Sequence, residues 1–97
     1  MNFLKVLQTE ILYGDTEILG FLLLSQGEAT VPNGVVMYRS QHAIGEFKVH
    51  YINFETNSLA FGGYHTTAIE AWLDFYARVE KNAYYVQHGT PLTGEPQ

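Results

Sequence analysis

Two segments of this chain, Glu17–Ser25 and Glu46–Phe54, would be apolar on both faces if they formed β-strands. In the second segment Val49 points to one face and Ile52 to the other, because side chains alternate along a strand. A sheet with one solvated face would instead alternate apolar and polar residues. Both faces of a sheet that contains these strands must therefore be covered, and this requirement restricts the fold more than any other feature.

The middle of the chain predicts an antiparallel meander. Gly34–Ser40, Glu46–Phe54 and the segment that starts at Leu59 are rich in β-branched and aromatic residues. Turn-forming residues separate them, among them Gly45 in a hairpin loop. The earlier segment EILGFLLLS is a short uninterrupted apolar run, and we predict that it adds a further strand.

The N-terminal residues 2–13 fit neither a helix nor a strand cleanly. Phe3, Leu7 and Ile11 recur at helical spacing. Neither pattern is followed cleanly by Leu4, Val6 and Leu12. We favour a strand that is hairpinned to the next one through the turn sequence GDTE. This choice brings the predicted sheet to about five strands.

The segment after the strands has the strongest helix signals. Thr67 and Glu70 form a capping box, in which each side chain satisfies a backbone N–H at the helix start. Asp74 and Arg78, four residues apart, are placed to pair on one face, and Asn82 is a fair terminator. The apolar residues recur at spacings of three and four, and they are Ile69, Trp72, Leu73, Tyr76, Val79 and Ala83.

These elements together predict an α+β fold. The expected architecture is an antiparallel β-meander of about five strands, strongly curved or barrel-like, packed against one long C-terminal α-helix. We expect residues 1–88 to form a single α+β domain of the commonest size. Residues 89–97 are rich in Gly and Pro and are expected to form a flexible tail.

Gly62 and Gly63 lie between the last predicted strand and the predicted helix. A strand that ends at Phe61 must reverse before Thr67 can cap a helix, and two glycines provide the freedom in φ for that bend. A phosphate-binding loop would need more glycines at fixed offsets, and the GK[ST] motif is missing from the sequence. We therefore predict that the two glycines form a structural bend.

The charge balance limits the partners of this chain. It has five Lys and Arg, ten Asp and Glu and no Cys, with a formal net charge of −5. Scattered basic residues do not supply the clustered charge that phosphate backbones require, so we expect no nucleic-acid partner. The longest apolar stretch, Ile18–Leu24, is too short to cross a bilayer, and no export signal precedes it. We expect an acidic cytoplasmic protein with no membrane partner.

Histidines and tyrosines are the best candidates for a binding site. His42, His50, His65 and His88 lie in four different elements without metal-ligand spacing, and we predict no metal, cofactor or catalytic residue. His50 lies where one face of Glu46–Phe54 changes from polar to apolar, which favours a binding spot there. The predicted pocket lies between sheet and helix and is lined by His50, Tyr38, Tyr64 and His65.

Three arrangements could cover the second sheet face. We rank a homodimer first and a small barrel with an apolar cavity second, and a helical N-terminal segment is the remaining arrangement. The corresponding function is a non-enzymatic binding or interaction protein that acts through an apolar, aromatic-rich sheet face as a homodimer. The alternatives are a pocket protein for a small apolar ligand, with or without catalytic activity, and a small inhibitor protein encoded by a mobile element.

Overall fold

The computed structural model describes residues 2–28, 30–40 and 46–87, with side chains as far as Asn82. Its elements in chain order are α1 (Phe3–Val6), a π-helical turn (Leu7–Ile11), β1 (Thr16–Ser25), β2 (Asn33–Ser40), β3 (Phe47–Asn53), β4 (Ser58–His65) and α2 (Ala68–Gln87). We refer to α1 and the π-helical turn together as the N-terminal helical segment. The predicted α+β class is confirmed.

The four strands form one antiparallel sheet in the order β1–β2–β3–β4. The predicted meander is therefore confirmed, whereas the described residues contain four strands rather than five, and the sheet is open rather than barrel-like. Both faces of β1 pack against apolar layers: Leu19 and Leu24 on one side, and Phe21 and Leu23 on the other. The requirement for cover on both faces is thus met within one chain.

The prediction of an N-terminal strand is wrong, because residues 3–11 are helical and cover the sheet face that we assigned to a partner. Asn2 caps this segment, with its side-chain oxygen accepting from the Lys5 backbone N–H at 3.1 Å. The Leu12 backbone N–H donates to the Leu7 carbonyl at 2.7 Å, which is the five-residue step of a π-helix. This step brings Leu7 and Leu12 into one buried cluster, although their spacing does not fit an α-helix.

Helix α2 covers the opposite face of the sheet with a stripe that only partly matches the predicted one, from which Trp72 and Val79 do pack against the core. Ala71 and Phe75 are buried against Val35, Met37 and Val49 of the sheet. Three residues of the predicted stripe are instead exposed, namely Ile69, Leu73 and Tyr76. The helix is therefore rotated about its axis relative to the orientation that the apolar stripe predicts. Polar residues of α2 occupy the inner face, where they bind partners on the strands, although the helical pattern places apolar residues there.

The start of α2 is as predicted and its end is not. The Glu70 backbone N–H donates to Thr67 Oγ1 at 3.2 Å, and the Thr67 hydroxyl donates to Glu70 Oε1 at 2.8 Å. Instead of ending the helix, Asn82 lies within it, and α2 continues to Gln87.

Among the described residues, no helix combines the length and apolar character needed to cross a membrane. The predicted hairpin loop at 41–45 and the tail at 89–97 lie outside the described residues.

Candidate functional site

Gly62 and Gly63 lie inside β4, so the predicted bend is wrong. The register against β3 passes from Val49 opposite Gly63 to Tyr51 opposite Ala60, which leaves Phe61 and Gly62 facing one residue, His50. This two-against-one arrangement is a β-bulge. Phe61 has a φ of 55°, a left-handed conformation that a bulky residue seldom adopts.

Each glycine makes room for a polar cluster, and the two clusters lie on opposite faces of the sheet. A Cβ atom on Gly62 would lie 2.5 Å from His50 Nε2 and 2.9 Å from the Tyr64 hydroxyl oxygen. A Cβ atom on Gly63 would collide with Asp74 Oδ2 and lie 3.1 Å from Arg78 Nη2. The glycines are therefore needed because side chains from other elements lie directly over the β4 backbone.

The aromatic cluster, formed by Tyr38, His50 and Tyr64, lies on the face of the N-terminal helical segment. The Tyr38 hydroxyl is 3.1 Å from His50 Nδ1, and the two rings stack with centroids 5.6 Å apart. Tyr64 meets the His50 ring edge-on at 5.7 Å. Tyr38 and His50 are 7% and 8% exposed, whereas Tyr64 is 62% exposed, so only one member of the cluster is open to solvent.

Both buried members of the aromatic cluster are held in their neutral forms. Burial, followed by the charges of Tyr64 and Glu46, raises the pKa of Tyr38 to about 12. Burial, followed by the charges of Arg78 and Lys48, lowers the pKa of His50 below its usual 6.5. A hindered, neutral imidazole beside an un-ionised phenol suits packing and hydrogen bonding better than proton transfer to a substrate.

The ionic cluster, formed by His65, Asp74 and Arg78, lies on the α2 face. His65 Nε2 is 2.7 Å from Asp74 Oδ2, and Arg78 Nε donates to Asp74 Oδ1 at 2.7 Å. Burial would raise the pKa of Asp74, but hydrogen bonds from Arg78 and His65 and their charges outweigh it and lower that pKa. An ionised carboxylate accepts only, so His65 Nε2 carries the proton of its bond.

Arg78 connects the ionic cluster to the bulge in β4. Its Nη1 donates to the Phe61 carbonyl oxygen at 2.6 Å, and its guanidinium lies 5.0 Å from the Tyr51 ring centroid. One turn later, the Asn82 amide donates to the Tyr51 hydroxyl at 3.0 Å and to the Arg78 carbonyl at 2.7 Å. These contacts hold Phe61 in its left-handed conformation and fix the C-terminal half of α2 on the sheet.

The structure brings together three of the four predicted binding residues. Tyr38, His50 and Tyr64 form the aromatic cluster, but on the face opposite α2, whereas the predicted pocket lay between sheet and α2. His65 lies on the other face, against Asp74. The sequence indicated the pairing of Asp74 with Arg78 on one helix face but not the bond between His65 and Asp74. The sequence signal for these two clusters was the pair Gly62 and Gly63, because adjacent glycines in a strand indicate that other groups approach its backbone closely from both faces of the sheet.

A groove of about 650 Å³ runs between the sheet and the C-terminal half of α2. Its helix wall includes Ala77, Arg78, Lys81 and Asn82, and Tyr51 lies on the sheet side. Loop residues 30 and 31, Asn33 at the start of β2 and the exposed ring of Phe61 also line it. The volume is in the range of small-molecule pockets in proteins.

The outer face of α2 is defined as Ile69, Leu73 and Tyr76, which are the exposed large apolar side chains of this helix among the residues whose side chains are described. These side chains are 74%, 66% and 60% exposed and lie on successive turns. Trp72 borders them, with its ring stacked on Tyr76 at 5.6 Å between centroids. Exposed apolar residues in a contiguous stripe are typical of a protein-binding surface.

No metal cluster is present within residues 2–28, 30–40 and 46–87, where no three His, Asp or Glu side chains lie close enough to share an ion. Comparison of the chain with protein-family models, curated proteins and solved structures returns no match. The function must therefore be inferred from the two clusters, the groove and the outer face of α2.

Proposed function

We propose that this protein is a non-enzymatic binding protein that self-associates through the outer face of α2. The observation that carries the proposal is the exposure of Ile69, Leu73 and Tyr76 on successive turns of one helix. Solvation of such a stripe is unfavourable, and burial of each side chain is worth about 1–2 kcal/mol at this exposure. A homodimer is the commonest way in which a single chain buries such a surface.

The binding surface in this proposal is a helix face and no longer a sheet face. The N-terminal helical segment buries Leu7 and Leu12 against Val36 and Ile52, which occupies the sheet face first assigned to a partner. The apolar surface left without cover has moved to α2 because the polar residues of that helix point inward. The proposed function is still that of an interaction protein, but the proposed interaction surface is the outer face of α2 instead of a sheet face.

The position of charges favours a second copy in antiparallel orientation. With the two-fold axis at Leu73, residues equidistant from Leu73 face each other, so Glu80 lies beside Thr66 of the partner copy. That position adjoins the start of α2, where the helix dipole favours negative charge. Glu70 then faces Tyr76, and no carboxylate of this face opposes another.

The energetics predict a dimer that dissociates on dilution. Two copies bury six of these side chains, which provides roughly 6–12 kcal/mol, against an association cost of about 4–15 kcal/mol. These terms nearly cancel. A net gain of about 4 kcal/mol corresponds to a dissociation constant near 1 mM, so we expect a weak dimer in the high micromolar to millimolar range, which sedimentation equilibrium at high protein concentration can detect.

Sedimentation equilibrium of the wild type and Leu73→Glu tests the proposal. The wild type should show a concentration-dependent dimer, and Leu73→Glu should be monomeric because a carboxylate would lie on the two-fold axis. Leu22→Glu is the matched control, since Leu22 is an exposed leucine on β1, and it should dimerise like the wild type. Glu80→Gln should weaken the dimer about twofold to fivefold through loss of the dipole contact. A wild type that stays monomeric at millimolar concentration contradicts self-association.

Binding of a different protein through the same face is the other interaction hypothesis, as for a small inhibitor encoded by a mobile element. It predicts a monomer that captures a defined partner from lysate, with capture lost in Leu73→Glu and kept in Leu22→Glu. The oligomeric state of the wild type separates the two hypotheses, and the same pair of variants tests the role of this face in either one.

A further inference from the structure

The groove beside the ionic cluster has an unusual charge for this chain. Ten acidic residues are present in the sequence, yet the groove lining, as far as the structure describes it, contains none of them. Two of the five basic residues, Arg78 and Lys81, line it instead. A net-negative protein with a cationic groove has concentrated positive potential at one place, which favours an anionic ligand there.

Lys81 and Tyr51 are the groups available to such a ligand. Arg78 already binds Asp74 and the Phe61 carbonyl, so it shapes the wall of the groove. In the part of the chain that the structure describes, no carboxylate forms a salt bridge with Lys81. The Tyr51 hydroxyl accepts from Asn82, which leaves its own hydrogen free to donate. Lys81 and Tyr51 can therefore both donate hydrogen bonds, which the two oxygens of a carboxylate accept.

Phe61 provides an aromatic surface at the mouth of the groove. Its side chain is 81% exposed, and its ring meets Tyr51 edge-on with centroids 6.3 Å apart. The hydrogen bond from Arg78 to the Phe61 carbonyl holds the backbone at a φ of 55°. A large apolar side chain that is exposed to solvent in an unfavourable backbone conformation indicates that its ring serves in ligand binding and not in stabilising the fold. A flat apolar ligand would stack on it.

We propose that this groove binds a small aromatic carboxylate, with the anionic group at Lys81 and Tyr51 and the ring against Phe61. This site is separate from the self-association surface, because none of Ile69, Leu73 and Tyr76 lines the groove. The ligand class follows from three features together: a cationic lining, a hydrogen-bond donor on each wall of the groove and an aromatic edge.

Calorimetric titration with 2-naphthoate tests the proposal, with 2-naphthamide as the neutral control of the same shape. We expect 2-naphthoate to bind and 2-naphthamide to bind at least fivefold more weakly, because the amide lacks the charge. Lys81→Gln should weaken naphthoate binding about threefold to fivefold and leave naphthamide unchanged. Lys5→Gln, an exposed lysine on α1, is the matched control and should bind as the wild type does.

Phe61→Gly tests the aromatic contact without risk to the fold, since glycine adopts a positive φ freely. This variant should weaken naphthoate about tenfold because the stacking surface is lost. Leu73→Glu, which should not dimerise, should still bind naphthoate as the wild type does. Loss of naphthoate binding and loss of self-association can therefore be distinguished. Equal binding of acid and amide, or unchanged binding in both Lys81→Gln and Phe61→Gly, would overturn the proposal, as would no heat of binding at millimolar naphthoate.

Discussion

The aromatic cluster and the ionic cluster lie on opposite faces of the sheet, next to the adjacent residues Gly62 and Gly63. They stabilise the protein in different ways. Tyr38, His50 and Tyr64 are joined by stacking and one hydrogen bond between groups that stay neutral. In the ionic cluster, Asp74 accepts charge-assisted hydrogen bonds from His65 and Arg78, and the bond from His65 ties α2 to β4. Neutral packing within a sheet tolerates small shifts, whereas a charged network that spans two elements does not.

The largest difference should appear when a methyl group is added to each glycine. In Gly63→Ala the new Cβ collides with Asp74 and crowds Arg78, so we expect a loss of about 3 kcal/mol in the free energy of unfolding. In Gly62→Ala the Cβ meets His50 and Tyr64, and exposed Tyr64 can move aside, so we expect about 1–2 kcal/mol. Urea unfolding of both variants measures the two losses. Equal losses would mean that the clusters are equally rigid.

Removal of the Asp74 charge should have the next largest effect. Asp74→Asn leaves Arg78, whose side chain is only 15% exposed, without its counter-charge, and we expect a loss of about 2 kcal/mol. Glu17→Gln is the control, because it breaks the more exposed pair of Glu17 with Arg39 and should cost less than about 0.5 kcal/mol. Both values come from the midpoints of urea unfolding at neutral pH. A cost for Asp74→Asn as small as that of the control would show that the ionic cluster does not hold α2.

The two clusters should lose stability in different ranges of pH. The pKa of His50 is lowered in the fold, so below pH 6.5 the unfolded chain binds a proton that the folded chain does not, and stability falls as the pH falls. The pKa of Asp74 is also lowered, so its contribution is present above its usual 3.8 and is lost in more acidic solution.

Unfolding midpoints measured from pH 7 to pH 3 check these ranges. His50→Phe should reduce the decline that begins near pH 6.5, and Asp74→Asn should reduce only the decline below 3.8. If His50→Phe leaves the whole profile unchanged, His50 is not the buried neutral group that the geometry indicates.

Loss of one hydroxyl group should have the smallest effect. Tyr38→Phe removes the bond to His50 Nδ1 and should cost about 1 kcal/mol at neutral pH. Tyr13→Phe is the matched control at a 71% exposed tyrosine, and its effect should stay within about 0.5 kcal/mol. Because the pKa of Tyr38 is raised to about 12, the wild type should also lose stability as the pH rises above 10, and Tyr38→Phe should lose less. Equal alkaline profiles would contradict the burial of that phenol.

Much of the fold could be predicted because its signals are local. The turn residues and β-branched runs identified three strands of the meander, and the Thr67–Glu70 capping box placed the start of α2 correctly. The N-terminal segment was mispredicted because Leu12 is brought beside Leu7 by a π-helical step, which has no α-helical spacing. For the candidate site, the sequence grouped His50 with Tyr38 and Tyr64, and these three side chains do lie together, while their role in binding stays a prediction. His65 was not part of that set, because β4 continues through it and the adjacent strand residues Tyr64 and His65 point to opposite faces of the sheet.

By itself, the sequence determined that both sheet faces must be covered, because the apolar residues of Glu17–Ser25 and Glu46–Phe54 point both ways. Only the tertiary structure decided what covers them, and which stripe of α2 faces inward. The physical reason is that Asp74, Arg78 and Asn82 gain partners on β3 and β4 that a helical pattern does not reveal, and the helix turns to satisfy them. That rotation leaves Ile69, Leu73 and Tyr76 in water.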